Sequence, residues 1–361
     1  MGESRLSRRT IKLLNSYLTL GLFVATIHAI LLYCYAQIGL TDYASRGDGQ
    51  EYMYAAEALS QGKLIGAHLP LYPALIAITS FITPKEVAAL SIPAILHTLF
   101  TLVAYKALMD TGLGNPWLYA LMIAFVPPSV LIYSSSALSD GVALFFIALS
   151  FYYGLRKKEG AMLLSSFLAA STHYMGSFLV IPLAWKYWKA DKRRLPLALV
   201  PLLPLVILSL IQYATTGNLF HYVSVHFAYS LRVWGTQLFL YPFASLLYTA
   251  TALKGIQRAF WLTYLTLVYV SYGVGLFHSA KKRRSWSTVF SIPFYAFTVV
   301  YTGYYFIPRF LAYSFPSLME YAEIERKFKP VRWLITVATL ISLAYALWFL
   351  LIRVPSTGFT R

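Results

Sequence analysis

The amino-acid sequence predicts an all-α fold: a polytopic transmembrane helix bundle of about eleven spans or half-spans, with interfacial helices in its first outer loop. Two observations carry the prediction. Hydrophobic residues make up 58% of the 361 and charged residues only 12%, with a mean hydropathy of +0.62. A soluble domain carries about 25% charged residues, so lipid must be the solvent for much of this chain. The second observation concerns Lys and Arg, which give a net charge of +17. They fall in short clusters between apolar runs, as the basic bias of cytoplasmic loops requires. That placement assigns the charge to topology and to contact with anionic membrane lipids, and it leaves no basic face for a nucleic acid. About 20 apolar residues cross a bilayer, so roughly ten crossings fit. No Pro/Gly/Ser-rich linker or polar block interrupts them, and residues 1–361 are read as one domain with no separate soluble part. Cys34 is the single cysteine, which excludes an internal disulfide or a multi-thiolate metal site.

The first apolar run follows a basic N-terminus but is long and ends at Tyr33-Cys34-Tyr35-Ala36-Gln37 without a small-residue cleavage site. It reads as a retained first span. The clusters at Arg5–Lys12, Arg156–Lys158, Lys186–Arg194, Lys281–Arg284 and Arg326–Arg332 are expected on the cytoplasmic side. The N-terminus is then inside, and the loop 37–86 is outside. Spans at 87–109, 117–134 and about 139–155 bring Arg156-Lys157-Lys158 to the cytoplasm. Segment 161–188 is longer than one crossing needs and is basic at both ends, which predicts a hairpin of short helices turning near Ser171-Thr172-His173-Tyr174. Broken backbone at membrane depth is tolerated only where protein packs around it or water lines it, so the turn is a site candidate. Spans at 195–214, 258–279, about 286–306, 310–324 and 331–352 follow, leaving the C-terminus outside. The stretch 69–83 is short for a crossing and is read as interfacial.

This arrangement collects the unexplained polar residues on the outer side. The first outer loop carries Asp42, Asp48, Glu51 and Glu57, with Gly47 and Gly49 flanking Asp48 in a tight turn before a helix that ends near Gly62. An ordinary solvated loop accounts for this composition; a carboxylate on a glycine turn above a broken helix also fits a reactive site. Asp140 opens an apolar span after Tyr133-Ser134-Ser135-Ser136-Ala137-Leu138-Ser139. It is either a first-turn acid favoured by the helix dipole or the orienting partner of an active-site base or cation. Outer cations run against the basic bias, so Arg46, Lys63, Arg232, Lys254, Arg258, Arg309 and the C-terminal pair Arg353 and Arg361 each invite a reason. Arg309 has the donors to hold a phosphate bidentately, or it snorkels as an interface anchor. Glu320 is read as a structural acid near the inner end. His221 and His226 lack the i, i+4 spacing of a helical metal pair. His173 gains from its place at the hairpin turn, and His68 from its place before Leu69-Pro70-Leu71-Tyr72-Pro73. No metal-ligand set is evident; a divalent metal is permitted by the pattern and not required by it.

Taken in order, Asp48-Gly49-Gln50-Glu51-Tyr52, the helix to Gly62 and Leu69-Pro70-Leu71-Tyr72-Pro73 resemble the start of GT-C class glycosyltransferases. The likeness is above all to the GPI-mannosyltransferase-like branch, whose pattern runs Trp-Asp-Gly-x-x-Tyr and then an aromatic-rich Pro-Leu-Tyr-Pro. It continues through Pro128, Tyr133-Ser134 and Asp140, then Thr172-His173-Tyr174-Met175-Gly176, Thr216-Gly217-Asn218, Arg309-Phe310 and Phe315-Pro316. Gly47 stands where the branch has Trp, His173 where it tends to have Arg, and no Glu follows soon after Tyr133-Ser134.

The resemblance implies a polyprenyl (dolichyl) phosphate-linked sugar donor, transfer with inversion, and a glycan, glycolipid or protein acceptor. It also implies an active site on the extracytoplasmic face of a cell membrane or the endoplasmic reticulum. Carried onto this sequence, Asp48 is the expected catalytic base, with Glu51 as the alternative. Arg46, His68, Tyr72, His173 and Arg309 are the expected contacts to the donor and its phosphate, and Asp140 orients a partner. A transporter or lipid flippase is the competing reading, and it calls for inverted repeats or ionisable residues near the bilayer midplane. A membrane acyl- or phosphotransferase would need a His/Asp constellation or a dense phosphate site.

Overall fold

A computed structural model describes residues 3–63, 68–221, 224, 225, 228 and 242–353, with side chains from residue 16 onward. His226, Arg232, Arg361 and the side chains of the Arg5–Lys12 cluster lie outside that description. The described residues are helical, without a strand. Helix α1 (Glu3–Ile38) leads through the short α2 (Leu40–Ala44), α3 (Gly49–Ser60) and α4 (Leu71–Thr79) to the long α5 (Lys85–Thr111). Next come α6 (Pro116–Phe125), α7 (Ser129–Ser134) and α8 (Asp140–Leu155). Helices α9 (Glu159–Thr172) and α10 (Val180–Ala190) are joined by a 3-10 turn over Tyr174–Leu179, and a 3-10 segment over Lys192–Leu202 runs into α11 (Leu203–Thr216). The remainder comprises α12 (Ala244–Ala252), α13 (Gly255–Lys281), α14 (Ser285–Val300), α15 (Ile307–Leu311), α16 (Phe315–Met319), α17 (Tyr321–Lys327) and α18 (Val331–Trp348).

Five stretches among the described residues are long and apolar enough to cross a membrane: Ser16–Ile38, Lys85–Thr111, Lys192–Thr216, Gly255–Lys281 and Val331–Arg353. This is the make-up of a membrane helix bundle. In α5, 56% of the most apolar window is buried, against 22–28% in the other four, so α5 is the central helix and the others turn one face outward. On α18 the outward face includes Leu334, Leu340 and Ile341, each 60% exposed or more, a surface suited to lipid rather than water.

Two expected spans are not single helices. The run 117–134 divides into α6 and α7 because Pro127 and Pro128 in succession have no N–H to give a helix. The run 310–324 is a chain of short pieces, α15, a 3-10 turn at Ala312–Ser314, α16 and α17, with Pro308 and Pro316 in the first turns of α15 and α16. The expected hairpin in 161–188 is present: α9 ends at Thr172, His173 is extended, and α10 carries the chain back. Residues 71–79 form a nine-residue helix, too short to cross on its own.

Contacts fix the direction of the central elements. A Cβ on Gly141, at the start of α8, would lie 2.7 Å from the Pro93 carbonyl oxygen of α5. At the other end of α8 the Tyr152 hydroxyl donates to Asp110 at 3.1 Å, and Arg156 pairs with the same carboxylate. The two helices therefore run side by side in the same direction. The 16 residues of α8 set Asp140 roughly 24 Å from its far end. Four basic clusters gather at that far end. Lys186 donates to the Gly154 carbonyl at 3.1 Å, Arg194 pairs with Glu159, Arg326 donates to the Gly112 carbonyl, and Arg284 pairs with Glu320 at 2.8 Å. Between the two ends Phe315 packs edge-on against Phe100 and Phe151, at 5.4 and 5.5 Å, and knits α16 to α5 and α8.

Glu323 at the basic end gives a pH-dependent handle. A hydrogen bond from Lys282, then the Arg284 guanidinium, hold its carboxyl below the usual glutamate range against the opposing effect of burial. Stability from this group is fully present above the ordinary glutamate pKa, about 4.3, and is lost as pH falls through the lowered folded value. Thermal unfolding in detergent should therefore show a midpoint that drops below about pH 4. Glu323→Gln should flatten that drop; an unchanged acid profile in the variant would remove Glu323 from the account.

Candidate functional site

At the opposite end, the turn between α2 and α3 depends on its glycines. Gly47 has a φ of +56°, a conformation that L side chains rarely adopt. A Cβ on Gly49 would lie 2.1 Å from the Ala44 carbonyl oxygen and 3.1 Å from the Ala137 Cβ. The turn is thereby seated on the segment that leads to Asp140. Asp48 precedes α3, half-buried, and makes no capping hydrogen bond. Its charge bears on Tyr52 and Tyr133. Burial, then the Asp48 charge, push the Tyr52 phenol well above its usual range, so it stays a neutral donor. Tyr52 shares a hydrogen bond of 2.8 Å with Ser139, and its ring lies 4.1 Å from that of His68.

Asp140 is 2% exposed. Its Oδ1 accepts from Arg309 Nε and from the Tyr313 hydroxyl, the latter at 3.1 Å; Oδ2 is buried without a hydrogen-bond partner. The Arg309 guanidinium lies 4.6 Å over the Tyr133 ring, a cation–π contact from α7. Helix α15 and the turn after it place Arg309 and Tyr313 four residues apart, one helical turn, so both reach the same oxygen. Tyr313 continues the chain of contacts to His173, with ring centres 5.9 Å apart. His173 Nδ1 accepts from the Met175 N–H at 3.2 Å and so closes the hairpin turn. Gly176 makes that turn possible, since a Cβ there would lie 2.3 Å from the Ala169 carbonyl carbon.

The fold thus brings Asp48, Asp140, His173 and Arg309 to one end of the bundle. Glu51 and His68 join them through a 2.8 Å contact to each other, with Glu51 55% exposed. Two of the expected contacts have partners in the scaffold. Tyr72 is fully buried and donates to the Ala89 carbonyl at 2.5 Å, which commits its hydroxyl to the scaffold. Arg46 lies 4.3 Å over the Tyr43 ring, and Tyr43 in turn donates to the Leu350 carbonyl at 2.6 Å. Lys63, Lys254 and Arg258 are exposed.

Tyr313 and Ser139 were not singled out from the sequence. The i, i+4 spacing of Tyr313 from Arg309 was the available signal. A buried relay was also missed. His28 and His97 meet at 2.9 Å, His97 Nε2 contacts the Ala124 carbonyl at 3.1 Å, and Ser135 contacts His28 Nδ1 at 3.1 Å. A carbonyl only accepts, so the pattern for neutral rings is unique: His97 donates from Nε2, His28 donates from Nε2 to His97, and Ser135 donates to His28. The relay ties α1 and α5 to the serine segment before Asp140.

One group among the described residues has metal-ligand spacing: His278, Glu320 and Glu323 present atoms within 4.8 Å of one another. It lies at the basic end. Arg284 already bonds both carboxylates, and Lys282 bonds Glu323 at 3.0 Å. A divalent cation would have to displace two resident cations, so the group is read as an ion-pair network.

Removing one partner of a buried ion pair costs about 3–5 kcal/mol, and removing both costs far less. Asp140→Ala and Arg309→Met should each destabilise the protein on that scale in unfolding titrations, and the double variant should recover most of the loss. Additive losses would mean that the two side chains act independently.

No protein-family model matches the chain, and no curated protein matches it.

Proposed function

We propose that the chain is an integral membrane glycosyltransferase of the GT-C kind, mannosyltransferase-like, with its active site at the Asp48 end. It transfers a sugar with inversion from a polyprenyl (dolichyl) phosphate to a glycan, glycolipid or protein acceptor. The observation that carries this reading is the meeting of residues 48, 140, 173 and 309 at one end of the bundle, around a glycine-dependent turn that leaves the Asp48 carboxylate uncommitted to capping. In the proposed step Asp48 takes the proton from the acceptor hydroxyl. The hydroxyl oxygen bonds to the anomeric carbon from the face opposite the phosphate. The anomeric C–O bond breaks, and its electron pair stays on the polyprenyl phosphate. Asp140 fixes Arg309 by its Nε edge, and the remaining guanidinium donors face the negative charge that develops on the leaving group. The uncovered apolar faces of the spans give the polyprenyl tail a lipid-like surface. The basic clusters at the other end support an extracytoplasmic placement for the site.

A transporter is the second reading, favoured by the His28–His97 relay inside two apolar spans. One experiment separates the two. Asp48→Asn should lower sugar transfer from polyprenyl-phosphate donors by about 100-fold or more, with expression, membrane insertion and unfolding midpoint unchanged. Glu51→Gln should do much less. Full transfer activity in Asp48→Asn would defeat the assignment of the base. Solute or lipid movement in liposomes without any transfer would favour the transporter.

A further inference from the structure

At the basic end a cavity of about 380 Å³ is lined by Arg283, Arg284, Ser285, Trp286 and Ser287, with Leu155, Met319 and the Arg284-paired Glu320 also on its wall. Its volume falls among small-ligand sites, roughly 300–1,000 Å³. It lies where two apolar spans finish: α5 ends at Thr111, which also lines the cavity, and α13 ends at Lys281. Lipid headgroups occupy that depth of a bilayer.

The charge at the cavity is not balanced internally. Arg284 is committed to Glu320 and Glu323, and Lys282 to Glu323. Arg283 reaches the cavity with no ion pair among the described residues. Lys186 adds a further cation 4.9 Å over the Trp286 ring, and the indole is held by its own 3.0 Å hydrogen bond to the Phe151 carbonyl. Arg283 also occupies an unusual backbone position. Helix α13 closes with the Arg283 and Arg284 amides donating to the Ala280 and Ser279 carbonyls, both at 3.0 Å. This is a Schellman end in which glycine usually takes the left-handed residue. Here that residue is Arg283, with φ +55°, so a long cation stands where the backbone favours no side chain. Helix α14 begins at Ser285 without a side-chain cap, and its first amides turn their positive dipole end toward the same space.

We infer that this cavity binds the phosphate of an anionic phospholipid headgroup from the leaflet at the basic end. Arg283 supplies the charge. Ser285 and Ser287 supply hydroxyl donors beside the first amides of α14. The acyl chains lie along the uncovered flank of α13 at Val274 and Phe277, 43% and 70% exposed. The unpaired cation, the hydroxyls and the apolar flank match the three parts of such a lipid, and the site is independent of the chemistry at Asp48.

The test uses the full chain in detergent, titrated separately with phosphatidylglycerol, phosphatidylcholine and inorganic phosphate. Thermal midpoint and native mass spectrometry are the readouts. Phosphatidylglycerol should raise the midpoint saturably and stay bound, while phosphatidylcholine and inorganic phosphate at equal concentration should do neither. Arg283→Gly suits the left-handed backbone, so it should keep the lipid-free midpoint while weakening phosphatidylglycerol binding about tenfold or more. Ser285→Ala with Ser287→Ala should weaken it less. Equal protection by the two lipids, or unchanged phosphatidylglycerol affinity in Arg283→Gly, would overturn the inference. Protection by inorganic phosphate as strong as by phosphatidylglycerol would overturn the lipid assignment.

Discussion

A carboxylate and a guanidinium removed from water together constrain everything around them, and Asp140 with Arg309 is such a pair. Neither can be left alone, because an uncompensated buried charge costs several kcal/mol. The pair joins the first residue of α8 to α15, 169 positions later. Tyr133 brings α7 to the guanidinium, and Tyr313 brings the carboxylate into reach of the His173 hairpin. Ser139, one residue before Asp140, binds Tyr52 and draws in the first loop. The loop, the hairpin and the returning helices meet at this one polar knot.

The knot sits where the helices are interrupted, and the interruptions have chemical causes. Pro127 and Pro128 end α6 early, His173 stands extended between α9 and the next turn, and Pro308 and Pro316 divide the segment that carries Arg309. Such breaks expose backbone groups that lipid cannot satisfy, so they must be packed in protein or face water. Unbroken helices carry the opposite burden. α13 and α18 present apolar faces outward, and α5 fills the centre. The basic end closes the bundle with ion pairs in which Lys282 and Arg284 meet Glu320 and Glu323, while Arg283 beside them forms no ion pair among the described residues.

Legibility followed the range of the signal. The spans 87–109, 258–279 and 331–352 lie within the long helices Lys85–Thr111, Gly255–Lys281 and Val331–Arg353, because hydropathy is summed over neighbours along the chain. The hairpin in 161–188 was legible for the same reason, with basic residues at both of its ends. The division of 117–134 is marked by Pro127-Pro128, while the apolar average runs unbroken through both helices. Asp140 and Arg309 each carried two readings in sequence, and neither reading named the other. Tyr72 illustrates the reverse: its motif pointed to a contact, while the fold spends its hydroxyl on the Ala89 carbonyl. His28 and His97 lie in two different spans with nothing local to link them.

The sequence by itself therefore determined which stretches leave water, where they are interrupted by proline, and that cations cluster between them. Each of these is a property of residues adjacent in the chain, and the transfer of a helix into lipid is decided segment by segment. Only the tertiary structure decided that Asp140 holds Arg309, that Asp48 stands on the segment leading to that pair, and that Arg283 borders a cavity at the other end without an ion pair among the described residues. Those outcomes depend on which helix faces which, and burying a charge is tolerable only where a partner from elsewhere in the chain arrives to meet it.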